Sequence, residues 1–97
     1  MMDREAWVYI LRCSDGTFYT GWTFDLQIRL TAHNNGKGAR YVLSRRPVEL
    51  VYREAVVSRS AALRRELEIK RMARTAKEDL VRSFQRREPL DPEGKGL

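Results

Sequence analysis

Two short runs of strand-forming residues, separated by a three-residue turn, constrain this chain most. Trp7 to Cys13 reads W-V-Y-I-L-R-C, and Thr17 to Trp22 reads T-F-Y-T-G-W. Both are rich in the β-branched and aromatic types that strands favour. Ser14-Asp15-Gly16 between them is turn chemistry, with Gly16 free to take a positive φ. An antiparallel hairpin follows, with Gly21 near its exit. A third strand runs from Val48 to Val57, entered after Pro47.

The rest reads as helix. Thr23 to Asn35 has helical spacing, with Thr23 placed to cap it and Gly36 to stop it. Gly36-Lys37-Gly38 then makes a flexible basic loop. Ser60 is placed to cap a helix from Ala61 to about Met72, and Thr75 with Glu78 has the capping-box spacing for another, whose apolar positions are Leu80, Val81 and Phe84. The expectation is an α+β domain: a small, mainly antiparallel three-stranded sheet flanked by helices, in the order β-β-α-β-α-α. With 97 residues there is room for one domain, placed at residues 1–88, with 89–97 expected as a disordered tail.

Charge narrows the partners. Nineteen Lys and Arg against thirteen Asp and Glu give a formal charge of +6, and fifteen of the nineteen are Arg, which grips phosphate in bidentate fashion. From Leu26 to Val48 the cations Arg29, Lys37, Arg40, Arg45 and Arg46 meet no anion. Such a block is the footprint of a polyanion-binding face, or on charge alone a solvated basic surface. No run approaches the ~20 apolar residues of a membrane helix, and the first five residues do not resemble a signal peptide, so a cytoplasmic protein without a membrane partner is expected. Cys13 is the sole cysteine, which excludes an internal disulfide and a cysteine-based zinc cluster.

Two helices carry charges where packing alone does not ask for them. On the first, Leu26, Leu30 and His33 share a stripe, and Arg29 lies on its flank one turn before His33. Arg29 can be a snorkelling side chain and His33 a satisfied helix-end histidine. On the second, Ala62, Ile69 and Ala73 form one apolar stripe, and Leu63 with Leu67 another. Glu66 projects between them with Lys70 one turn on. A carboxylate so placed is costly unless paired, metal-bound or open to a cleft. A packing ion pair with Lys70 and a functional role are both open.

The order of these residues resembles the GIY-YIG nuclease superfamily. Val8-Tyr9-Ile10 and Tyr19-Thr20-Gly21 stand where the family has its paired tripeptides, departing from its spelling at Val8 and Thr20. The likeness continues through Arg29, through His33-Asn34-Asn35-Gly36-Lys37-Gly38-Ala39-Arg40-Tyr41, and through Arg65-Glu66-Leu67. It covers Trp7 to Phe84 and is similar to the small stand-alone bacterial branch.

What the resemblance implies is a DNA endonuclease acting in repair or recombination. One Mg²⁺ or Mn²⁺ ion would be held by Glu66, water and substrate. Arg29 would clamp the scissile phosphate. Tyr9 would be the favoured general base, with Tyr19 beside it and His33 as proton relay or alternative base. Since a free tyrosine titrates near ~10, Tyr9 needs cations to lower its pKa, while His33 at ~6.5 is intrinsically better matched. Lys37, Arg40, Tyr41, Arg45, Arg46 and Lys70 would track the backbone, with shape rather than sequence preference and nicking as the default. RNA is an alternative substrate. The other reading is a nucleic-acid-binding domain whose catalysis is vestigial or depends on a protein partner that supplies targeting.

Overall fold

The computed structural model describes residues 4–87. The expected tail at 89–97 lies outside them. Three antiparallel strands form the sheet: β1 (Ala6–Arg12), β2 (Phe18–Thr23) and β3 (Glu49–Val56), in the order β2-β1-β3. Helices α1 (Leu26–Asn34) and α2 (Arg40–Leu43) fall between β2 and β3, and α3 (Arg59–Lys70) and α4 (Arg74–Arg87) follow. The expected α+β order therefore holds, with the single turn of α2 added. Four residues are too few to carry a periodicity that sequence can show.

The hairpin turn is held by its own chemistry. Asp15 Oδ1 accepts from the Thr17 N–H at 3.1 Å and from its hydroxyl at 2.6 Å, while Gly16 takes φ 84°. In the register, Tyr9 faces Gly21 on β2 and Arg53 on β3, while Trp7 faces Thr23 and Ala55. A register shift between Ile10 and Leu11 irregularly offsets the pairing with β3.

Because side chains alternate across a strand, β1 feeds two cores. Val8 and Ile10 point to one face, where Val51, Tyr52, Ala62, Ile69 and Val81 close over them from β3, α3 and α4. Tyr9 and Leu11 point to the other, packed with Cys13, Val42, Val48, Leu26 and Leu30. The sheet is thus covered on one face by α3 and α4, and on the other in part by α1 and α2.

Three helix starts differ from expectation. Asp25 caps α1, its Oδ1 accepting from the Ile28 N–H at 3.0 Å, while Thr23 lies two residues earlier and accepts from the Asp25 N–H. Ser58, two residues before the expected Ser60, caps α3 through the Ala61 N–H at 3.1 Å. Thr75 lies inside α4, where Glu78 pairs with Arg74 at 3.3 Å instead of closing a capping box. The apolar face of α3 is also narrower than the wheel suggests. Ala62 and Ile69 are buried, but Leu63 and Leu67 remain 43% and 48% exposed and Ala73 is exposed. A short helix beside a three-stranded sheet buries one stripe, and the second has no layer to meet.

Candidate active site

Five of the residues singled out in the sequence come together on the α1 side of the sheet. Tyr9 projects from the middle of β1 and is almost fully buried, with its hydroxyl 2.9 Å from His33 Nε2. Tyr19 projects from β2 and meets the same imidazole edge-on, with ring centroids 5.5 Å apart. Tyr41 of α2 stacks on Tyr19 at 6.0 Å. Arg29 passes along a groove wall shared with Tyr9, Leu26, Leu30 and Leu50.

Glu66 comes from α3, and its charge is felt by both phenols. Its side chain is 19% exposed, and Lys70 Nζ stands 3.6 Å from Oε2, an i,i+4 ion pair. The packing role weighed for Glu66 is thus present in part, on a carboxylate that also lies within electrostatic range of Tyr9 and Tyr19.

Two glycines make this convergence possible. A Cβ at Gly21 would lie 2.6 Å from Tyr9 Oη, so the phenol occupies the space that any other side chain would fill. A Cβ at Gly38 would lie 2.2 Å from His33 Nδ1. Gly21 stands out in the motif, but Gly38 reads from sequence only as part of a flexible loop. Its neighbour Ala39 carries a contact that no side-chain pattern can signal: its backbone N–H donates to His33 Nδ1 at 3.3 Å.

That hydrogen bond fixes the tautomer. A neutral imidazole carries one donor and one acceptor nitrogen. With Nδ1 accepting from Ala39, the proton sits on Nε2 and is donated to Tyr9 Oη. The imidazole is fully buried, and burial together with the nearby Arg29 charge holds its pKa below the usual histidine value. It is neutral at pH 7.

The phenols shift the other way. Burial pushes Tyr9 up to about 12, partly offset by Arg29, and raises Tyr19 as well. The condition on a Tyr9 base, cations that lower its pKa, is met only in part: Arg29 acts in that direction, but desolvation outweighs it. The same burial makes His33 a weaker base than a free imidazole, and both its nitrogens are already engaged inside the protein.

The basic block divides into exposed and tethered members. Lys37 and Arg40 are exposed. Arg45 lies 3.9 Å over the Tyr41 ring and pairs with Asp15 at 3.1 Å, while Arg46 donates to the backbone carbonyls of Leu43 and Asn34. These last two cations hold the α1–α2 segment and the hairpin turn together. Among the described residues no cluster of three or more His, Cys, Asp or Glu could form a metal cage, and no helix is long and apolar enough to cross a membrane.

Two tyrosines, an arginine and a glutamate gathered on a three-stranded sheet define a class. Residues 5–79 match the family model described as the GIY-YIG catalytic domain, and the chain belongs to this family. Among its relatives, the UPF0213 protein SERP0126 of Staphylococcus epidermidis is 50% identical over 80 residues, covering 82% of this chain and 96% of the relative. A UPF0213 protein of Syntrophus aciditrophicus is 53% identical over 79 residues, covering 80% and 91%. Two solution NMR structures are similar. The UPF0213 protein BH0048 of Bacillus halodurans has a TM-score of 0.53 at 45% identity, covering 80% of this chain and 83% of that one. The protein EF2693 of E. faecalis has a TM-score of 0.58 at 38% identity, covering 88% and 92%. The family points to a nuclease superfamily and a nucleic-acid substrate.

Proposed function

We propose that this protein is a divalent-metal-dependent endonuclease that hydrolyses DNA phosphodiester bonds. It nicks one strand per event and reads the shape of DNA rather than its sequence, in repair or recombination. The observation that carries this reading is the meeting of Tyr9, Tyr19, Arg29 and His33 on one face of the sheet, with Glu66 of α3 within electrostatic range of both phenols.

Phosphodiester hydrolysis needs a positioned water, a cation on the phosphate and relief of the charge that builds in the transition state. Arg29 supplies a fixed guanidinium next to both phenols, placed to hold a non-bridging phosphate oxygen. Tyr9 Oη accepts the His33 Nε2 proton, which leaves its own hydroxyl hydrogen free to turn toward the site. His33 acts by holding that orientation, and its donated hydrogen bond, like Arg29, favours a Tyr9 phenolate as base. Tyr19 and Tyr41 line the approach and orient water or phosphate. Lys37 and Arg40 meet the backbone, with Arg45, Arg46 and Lys70 adding positive potential behind them.

Glu66 is the residue that would hold a metal ion. One partly exposed carboxylate fits Mg²⁺ or Mn²⁺, which keep several waters and bind through one or two carboxylates plus substrate phosphate. Bound there, the ion would supply positive charge at the scissile phosphate.

A second reading is favoured by the raised phenol pKa values. With Tyr9 near 12, the free protein holds no phenolate at neutral pH. Catalysis would then depend on a protein partner or a substrate structure that completes the site, and the domain alone would bind. Incubation with supercoiled plasmid and branched oligonucleotides in Mg²⁺, Mn²⁺ or EDTA, with an RNA strand in parallel, separates the readings. Metal-dependent nicking that Glu66→Ala abolishes supports the nuclease. Binding without nicking by the native protein supports the second reading.

A further inference from the structure

The basic block between Leu26 and Val48 contains no acidic residue, so a cation in it that pairs must draw its carboxylate from elsewhere in the chain. Arg45 draws one from the hairpin turn, thirty residues earlier, where its Nε donates to Asp15 Oδ2 at 3.1 Å. The other oxygen of that carboxylate works inside the turn, Oδ1 accepting from the Thr17 N–H and hydroxyl. Ser14 adds two bonds, its N–H and its hydroxyl donating to the Arg45 carbonyl at 2.9 and 3.0 Å. Arg45 is thus gripped by the turn at side chain and backbone alike. From there it reaches toward the site. Its Nη1 donates to the Tyr41 carbonyl at 2.8 Å, and its guanidinium carbon lies 3.9 Å from the centre of the Tyr41 ring. Tyr41 stacks with Tyr19, and Tyr19 meets the His33 imidazole.

One carboxylate therefore fixes Tyr19 from two directions. Through Oδ1 it sets Thr17 at the entry to β2, two residues before Tyr19; through Oδ2 it sets Arg45, then Tyr41, then the Tyr19 ring. An arginine with these directed contacts is not exchangeable for lysine. An ammonium has no plane to lay over the ring and no fork to serve a carboxylate and a carbonyl together. We propose that Asp15 and Arg45 are positioning residues for the cleavage site, a clamp that holds Tyr41 against Tyr19 at the substrate approach. Neither touches the reacting atoms. The role is separate from meeting the DNA backbone, because two of the Arg45 donors are aimed at Asp15 and at a carbonyl. The inference rests on the nuclease reading above, which puts Tyr19 and Tyr41 at the approach, and adds the device that fixes them there.

Arg45→Lys keeps the charge and breaks the clamp, while Asp15→Asn breaks it and makes the chain more basic. An ion pair this exposed adds little to global stability, so both variants stay folded. Two measurements compare them with the native protein: plasmid nicking with kcat and KM separated, and NMR of isotope-labelled tyrosine rings in EDTA without DNA. The expected result is a kcat lowered roughly tenfold in each variant, with KM and duplex affinity in EDTA held at native values. The double variant loses no more than either single one, since both break the same unit. The Tyr19 and Tyr41 ring signals move, and those of Tyr52, on the other face of the sheet, stay. Thr17→Val, which leaves the Asp15–Arg45 pair in place, keeps the native rate. Native kcat in Arg45→Lys, or a loss confined to affinity, overturns the clamp and returns Arg45 to a role by charge alone. Tyrosine signals unmoved in both variants overturn it without reference to cleavage. A native chain that cuts nothing overturns the nuclease reading, and the tyrosine signals alone then decide the clamp.

Discussion

Tyr9 Oη and His33 Nε2 lie 2.9 Å apart, joined across twenty-four residues of chain, and the direction of the hydrogen bond between them is set by a third group, the Ala39 N–H. The backbone holds Nδ1 as an acceptor, so the imidazole donates to the phenol. On the nuclease reading, His33 is therefore a positioning residue for Tyr9. Tyr9→Phe removes the acceptor and leaves the buried Nε2–H unpaired, a loss of about 1–3 kcal/mol. His33→Gln keeps a donor within reach. Urea denaturation of both variants should place Tyr9→Phe below the native protein, while a plasmid assay shows nicking lost in Tyr9→Phe and reduced in His33→Gln. Full nicking by Tyr9→Phe would remove the phenol from the mechanism.

A buried neutral histidine makes stability depend on pH. Folding lowers the His33 pKa, by burial first and by Arg29 second, from an unfolded value near 6.5. Above 6.5 the ring is neutral in both states and its contribution is complete. As pH falls below 6.5 the unfolded chain takes up the proton first, so stability is lost until His33 itself protonates in the folded state. The slope is at most about 1.4 kcal/mol per pH unit. Thermal melts between pH 7.5 and 5 should show a falling midpoint that His33→Gln flattens. A native melting point independent of pH across that window contradicts the assignment.

On the nuclease reading, cleavage should rise with pH over the range where the protein stays folded. Tyr9 near 12 means that each added pH unit raises the phenolate fraction about tenfold if that phenolate is the base. The rate of plasmid nicking at fixed metal concentration, measured from pH 6 to 9, should climb without a plateau. A plateau near neutrality would assign the proton to a group other than Tyr9, or show that substrate binding lowers its pKa.

How much of this was legible beforehand divides by the kind of interaction. The hairpin, the third strand and the longer helices follow from alternation and helical spacing, because each element repeats its signal several times. Tyr9, Tyr19, Arg29, His33 and Glu66 could be picked out together because their order and spacing resemble a known family. Periodicity alone left Arg29, His33 and Glu66 with packing explanations. The tautomer of His33 was hidden, since it depends on a main-chain N–H that any residue at 39 other than proline would supply. Gly38 looked like loop flexibility, and its need for a missing Cβ shows only once His33 lies against it. A base role for Tyr9 asks nearby cations to bring its pKa down. Burial, which no single sequence window reports, moved it up.

Glycine at 21 and 38 should be irreplaceable for different reasons. Alanine at 21 places a Cβ against the Tyr9 hydroxyl, and alanine at 38 places one inside the His33 ring contact. Each must displace a buried ring, at about 1–3 kcal/mol for such overpacking. Gly16 offers the control: nothing lies within 4 Å of its Cβ position, but its φ of 84° is strained for alanine. Urea midpoints should therefore fall for all three. Nicking per folded molecule should drop only for Gly21→Ala and Gly38→Ala, because only these move Tyr9 or His33.

Arg29 and Glu66 should separate binding from chemistry. Arg29 lies beside both phenols; on the proposed nuclease reading its guanidinium meets the charge of the transition state, and removing one such preorganised donor costs about 10²–10³ in rate. Glu66→Ala also frees Lys70 from its ion pair, and the site then gains positive potential. DNA affinity in EDTA should accordingly hold or rise in Glu66→Ala while nicking disappears in every metal tested. Lys37→Ala and Arg40→Ala, on the exposed part of the basic block, should do the reverse, weakening binding and each reducing the salt slope by about 0.9 for duplex DNA. A Glu66→Ala protein that nicks at the native rate would move the metal site elsewhere on the chain. A variant lacking both exposed cations with an unchanged salt slope would remove that block from the DNA path.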